Sequence, residues 1–150
     1  MKYLIALSLL VASNAFADHL VLGFGPTLNG GINPKYGSLG YEYEFNFPMS
    51  LTAECGSWFS TPAGYACQEL NSVRVLTPEG IFSRLGFGPA WIHPVDDRLS
   101  TPFEFSIQGA AGLEQDGWGV GIKYQHFSNA GIKQPNLGRD FLQGFVEIKL

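Results

Sequence analysis

The sequence predicts an all-β protein: an eight-stranded antiparallel transmembrane β-barrel of the outer-membrane type. Three features carry that prediction: an export leader with no long apolar segment after it, a composition rich in glycine and aromatic residues, and eight segments that alternate apolar and polar side chains. The 150 residues allow one domain, and 14% aromatic with 19 Gly against 15% charged residues is a strand composition. Lys2 supplies a basic start, residues 3–12 an apolar core, and Ala15-Phe16-Ala17 the small-x-small cleavage pattern. Residues 1–17 therefore read as a signal peptide and residues 18–150 as the barrel domain. The leader is too short for a membrane helix, and no later stretch approaches about 18 uninterrupted apolar residues. Any crossing of a membrane falls to strands.

The predicted strands span 19–27, 38–47, 50–59, 68–77, 80–91, 102–114, 117–128 and 140–150, most of them near the roughly 9–11 residues that a tilted membrane strand needs. Alternation is clearest in the second, where Leu39, Tyr41, Tyr43, Phe45 and Phe47 oppose Glu42, Glu44 and Asn46, and in the sixth, where Phe103, Phe105, Ile107 and Leu113 oppose Glu104, Ser106, Gln108 and Glu114. Phe47-Pro48-Met49, Thr77-Pro78-Glu79-Gly80 and Gln115-Asp116-Gly117 are tight turns; the connections at 29–37, 60–66, 92–101 and 129–139 are long. Short turns of such barrels are periplasmic and long loops extracellular, which places both termini in the periplasm.

Alternation alone does not say which face meets lipid. A soluble, lipocalin-like barrel would turn the greasy face inward, but eight strands enclose a space only just wide enough for side chains. The bulky Tyr, Phe and Trp would overfill it. Gly40, Gly56, Gly86, Gly88, Gly119 and Gly121 fall on the opposite set and suit a crowded lumen, together with Glu42, Glu44, Glu54, Arg74, Arg84, Glu104, Lys123, Glu147 and Lys149. Charges of both signs are available there for pairing, as burial demands. Trp91 and Trp118 belong to interface girdles.

A net charge of −4 gives no electrostatic footprint for nucleic acid. Cys55 and Cys67, an even count in an exported chain, favour a disulfide over a metal site, with two free thiols the alternative. His19, His93 and His126 lie far apart without ligand-type spacing, so neither a metal nor a cofactor is expected.

The chemistry gathers near the C-terminus. Val120, Ile122, Tyr124, His126 and Ser128 share one face of a strand, Lys123 and Gln125 the other. The last segment has Leu142, Val146, Ile148 and Leu150 on the apolar face, which Asp140 opens. A serine, a histidine and a carboxylate thus meet at the mouth of one hairpin, on the outside of the barrel and at its extracellular rim. Ser128 would attack an ester carbonyl, His126 would carry the proton and Asp140 would orient the imidazolium. Asn129, Gly131 and Asn136, in the loop that follows, are candidate oxyanion or substrate-binding residues. Lys133 and Arg139 read as solvated loop charges in preference to phosphate ligands.

The run Lys123-Tyr124-Gln125-His126-Phe127-Ser128-Asn129-Ala130-Gly131-Ile132-Lys133-Gln134-Pro135-Asn136 resembles the signature of the PagL family of lipid A 3-O-deacylases. The resemblance implies an eight-stranded outer-membrane barrel with a catalytic triad on its outer wall. It implies a hydrolase acting on lipopolysaccharide by serine-dependent removal of the ester-linked acyl chain at position 3 of lipid A. The family roles carry over to His126 and Ser128. Two positions depart from the pattern. The family's acid is a glutamate, whereas this chain has Asp140, about 1 Å short on an unchanged backbone, which implies lower activity or a local backbone adjustment. The chain also ends on Leu150 where such barrels commonly end on an aromatic residue. The expected partners are the lipopolysaccharide substrate, the outer membrane and, as an open possibility, a second copy of the chain. The alternative is a non-catalytic structural or adhesive barrel.

Overall fold

The computed structural model describes residues 18–29, 35–46, 48–59, 63–96 and 98–150. The expected leader lies outside them. Eight strands follow in order: β1 (Asp18–Pro26), β2 (Lys35–Asn46), β3 (Met49–Phe59), β4 (Gly64–Leu76), β5 (Ile81–His93), β6 (Phe103–Gln115), β7 (Trp118–Ser128) and β8 (Arg139–Lys149). Each pairs antiparallel with its sequence neighbour, and β1 closes on β8. Closure leaves no sheet edge, so the strands' backbone polar groups pair along the wall on both sides, as a membrane span requires.

The wall faces are those that the alternation predicts. Leu22, Leu39, Leu85, Phe87, Ile107, Leu113, Val120 and Ile122 are exposed on the outside, and Trp91 and Trp118 stand among them. Glu42, Glu54, Arg74, Arg84, Glu104, Lys123 and Glu147 are buried in the lumen. Lys149 instead lies exposed at the rim. Lumenal glycines make the predicted room: a Cβ on Gly119 would sit 2.4 Å from Glu147 Cγ. At Asp116 and Gly117, φ values of 51° and 83° form the two-residue turn with both central residues left-handed that joins β6 to β7.

The strands β2 and β4 begin three and four residues earlier than their predicted segments, because the wall extends at the loop end around an interior apolar plug. Tyr36, Trp58, Ile92, Leu99, Phe127 and Phe141 fill this layer, with Tyr36 stacked on Phe141 at 4.2 Å between ring centroids. Large rings do fit inside where glycines yield the space. A Cβ on Gly64 would fall 2.1 Å from Trp58 Cζ2. Below the plug, Lys123 Nζ meets Glu54 Oε2 at 2.5 Å and Ser38 Oγ at 3.1 Å, and Gln143 accepts a hydrogen bond from Ser38. Cys55 and Cys67 are direct cross-strand partners, their Cα atoms 4.1 Å apart, and form a disulfide between β3 and β4.

Candidate active site

Strand β7 carries two sets of side chains with opposite fates. Lys123, Gln125 and Phe127 are buried, while Val120, Ile122 and Tyr124 are exposed on the wall and lead to His126 and Ser128 at the loop end. His126 stands in register with Asp140 of β8. Side chains of such directly opposed residues lie within reach of each other. Here His126 Nδ1 is 2.6 Å from Asp140 Oδ1. A carboxylate only accepts, so the proton of the neutral ring sits on Nδ1 and the Nε2 lone pair is left as the basic atom. Their side chains are 32% and 20% exposed, which leaves the pair accessible from outside the barrel.

Two further groups hold the carboxylate, and two more contacts hold the Asp140 backbone. Asn29 donates from Nδ2 to Asp140 Oδ2 and accepts from the Asp140 N–H at 2.8 Å, while Tyr124 Oη donates to Oδ1 at 2.6 Å. The N–H of Leu28 also donates to the Asp140 carbonyl at 2.8 Å. The loop after β1 is thereby fastened to the start of β8. Asp140 reaches the imidazole at full hydrogen-bond contact, so the shortfall expected of the shorter acid is absent. Gly138 passes beside the other edge of the ring: a Cβ there would lie 2.6 Å from His126 Cε1, and its φ of +67° is one that L side chains rarely adopt.

Ser128 ends β7 opposite Phe105 of β6 and is half-buried. It shares the outward face with His126, about 7 Å away at Cα for two extended residues. Its hydroxyl makes no hydrogen bond among the described residues, so the histidine and the acid are in contact and the serine stands beside them.

The three candidate oxyanion residues build the next loop. Ile132 N–H closes a turn onto the Asn129 carbonyl at 3.0 Å, with Ala130 and Gly131 at φ 52° and 81°. The buried Asn129 amide donates to Lys133 O at 2.9 Å and Ser100 Oγ at 3.2 Å, while its Oδ1 accepts from Gly131 N–H at 3.0 Å. Asn136 Oδ1 accepts from Asn129 N–H at 3.1 Å. The backbone donors of Asn129 and Gly131 are thus engaged within the loop. The Asn136 amide nitrogen and the Ala130 N–H have no partner among the described residues.

Arg139 differs from its expected role. Its odd position in β8 turns it into the lumen, 5% exposed, where it pairs with Asp96 and lies 4.9 Å from the Trp58 ring; Lys133 is exposed. Tyr124 and Gly138, each two residues from His126 or Asp140 on the same strand face or its approach, had a signal in their spacing. Asn29 had none, since 111 residues separate it from Asp140.

A closed eight-stranded barrel with an apolar outer wall and a paired, charged lumen is a transmembrane outer-membrane barrel. The comparisons narrow this. A family model for lipid A 3-O-deacylase (PagL) matches residues 12–149. The lipid A deacylase PagL of Bordetella bronchiseptica is 43% identical over 106 residues, which are 63% of this chain and 60% of that protein's length. The match thus spans about three fifths of that relative. Among solved structures, the outer-membrane enzyme PagL superposes with a TM-score of 0.77 at 21% identity, over 88% of this chain and 99% of that one. Neisserial surface protein A follows with a TM-score of 0.60 at 9% identity, over 90% and 96%. The chain belongs to the PagL family of lipid A 3-O-deacylases.

Proposed function

We propose that this chain is a lipid A 3-O-deacylase working as a serine-dependent carboxylic ester hydrolase, with Ser128 as nucleophile, His126 as base and Asp140 as the acid that orients it. The observation that carries the proposal is the 2.6 Å contact between His126 and Asp140 on the outer wall, beside a Ser128 hydroxyl that makes no hydrogen bond among the described residues. Ser128 Oγ attacks the ester carbonyl at position 3 while His126 Nε2 takes its proton. The tetrahedral intermediate then collapses as Nε2 returns the proton to the departing sugar hydroxyl. Water hydrolyses the acyl-serine by the same relay in reverse order. The Asn136 amide and the Ala130 N–H are the uncommitted donors for the oxyanion, and Asn129 and Gly131 serve by shaping the turn that presents them.

The site opens sideways to the outer leaflet, so lipopolysaccharide reaches it by lateral diffusion without entering the plugged lumen. One chain supplies all three groups, so the chemistry does not require a homodimer. Mass spectrometry of lipid A after incubation with the purified protein tests the reading. Loss of one 3-hydroxyacyl chain is expected, with a fall of at least about a thousandfold in Ser128→Ala. Equal release by the two proteins would leave a structural or adhesive barrel.

A further inference from the structure

The end of the lumen that carries the termini holds a group of charges that does not balance. Arg74 Nη2 donates to Glu114 Oε2 at 2.5 Å and to Glu147 Oε1 at 2.6 Å, and its other nitrogens lie 3.9 Å from Glu42 and Glu44. Arg84 pairs with Glu42 and lies 3.6 Å from Glu147 Oε2. Four carboxylates therefore face two guanidiniums, and the next cation, Lys149, is out at the rim. Such an excess is costly among buried groups unless a cation or protons compensate it.

Among these groups sits His19, 2% exposed, with no hydrogen-bond partner on either ring nitrogen among the described residues. A buried imidazole without a partner forfeits two polar interactions. A ring nitrogen of His19 and one oxygen each of Glu114 and Glu147 all lie within 4.8 Å of one another, and Glu44 Oε1 is 3.9 Å from His19 Nδ1. Glu147 Oε2 also lacks a hydrogen bond. Arg74 occupies one oxygen of each of those two acids; the second oxygen of Glu114 remains, and that of Glu147 lies 3.6 Å from Arg84 Nη1, beyond hydrogen-bond contact.

We propose that His19, Glu114 and Glu147, with Glu44 at the open side, form a binding site for a first-row divalent metal ion of the zinc class. Donors around such an ion at bond lengths of about 2.0–2.2 Å stand roughly 3.4 Å apart, a contraction that two glutamate side chains can make by rotation. The imidazole selects against calcium and magnesium, which take oxygen ligands. Glu114 and Glu44, 15% and 28% exposed, line the way in from the solvent at that end. His19 belongs to β1 and Glu147 to β8, so the ion clamps the seam at which the barrel closes and ties it to β6. The sequence hides the site because its three residues are 33 to 128 positions apart and meet only on closure.

The test uses the full chain, free of any affinity tag, folded in detergent, stripped with EDTA and then dialysed against Zn2+, Mn2+ or Ca2+. About one equivalent of zinc is expected to survive desalting, with thermal unfolding raised by roughly 2–5 °C and reversed by EDTA. Calcium should do neither. His19→Gln and the rim variant Glu114→Gln should lose both effects, and Ser128→Ala, at the far end of the barrel, should keep them. Co2+ bound to wild type should show ligand-field bands that His19→Gln abolishes, a readout independent of stability. No retained zinc, or zinc retained equally by His19→Gln, overturns the site whatever the outcome for deacylation.

Discussion

The two faces of β7 put neighbouring residues to opposite uses. Inward, Lys123 is tied to Glu54 and Ser38, and Gln125 Oε1 accepts from Gln143 at 3.3 Å, so these polar groups are bound to one another inside the barrel and hold the wall. Outward, Asp140, itself held by the Tyr124 hydroxyl, bonds only one side of His126, and among the described residues its Nε2 and the Ser128 hydroxyl have no hydrogen bond. A polar group tied to buried neighbours across the strands is a strut. One bonded on a single side is oriented and still able to react, which is the difference between the lumen and the candidate site.

The largest expected effect that sharpens this contrast is on the outer face. Asp140→Asn keeps the shape but replaces an acceptor with an amide that can donate to Nδ1, which favours the wrong tautomer. Deacylation should fall by about a thousandfold or more, with unfolding in urea little changed. The inward neighbour should behave in the opposite way. Lys123→Met strands the Glu54 carboxylate in the lumen and should lower the unfolding free energy by about 3 kcal/mol while the rate of the folded enzyme stays near wild type. A change in rate as large as that in stability would erase the distinction between the faces. The smallest effect belongs to Tyr124→Phe. Removing one of three side-chain donors to Asp140 should slow acyl release several-fold, about 1 kcal/mol in the barrier, and leave the pattern of released acids the same.

Much of this was legible in the sequence because the strand period of two is insensitive to what lies across the barrel. The run Val120, Ile122, Tyr124, His126, Ser128 shows its outward face on its own, and the turn at Asp116-Gly117 announces itself by residue type. The lumen was harder. Trp58, Phe127 and Phe141 are as greasy as any lipid-facing residue, and only the register says that they plug the loop end. Arg139 looks like a solvated loop charge until its position in β8 turns it onto Trp58. The clamp on Asp140 was out of reach for a further reason. Asn29 enters through the loop that follows β1, and its partner lies almost a whole chain away, joined only because β1 pairs with β8. Closure also explains how the shorter acid reaches the ring. The loop clamp fixes the start of β8 where the carboxylate meets the ring, a backbone adjustment that a strand pattern cannot express.

The central claim is that the Ser128 hydroxyl, outside the wall, is made nucleophilic by His126. A fluorophosphonate ester, which phosphorylates an activated serine, tests this directly on the folded protein in detergent, with the adduct located by peptide mass spectrometry. The account predicts a stoichiometric adduct on Ser128, blocked by prior incubation with lipid A and at least about a hundredfold slower in His126→Asn. Deacylation that persists in full with no adduct on Ser128, or labelling that His126→Asn does not slow, would contradict it.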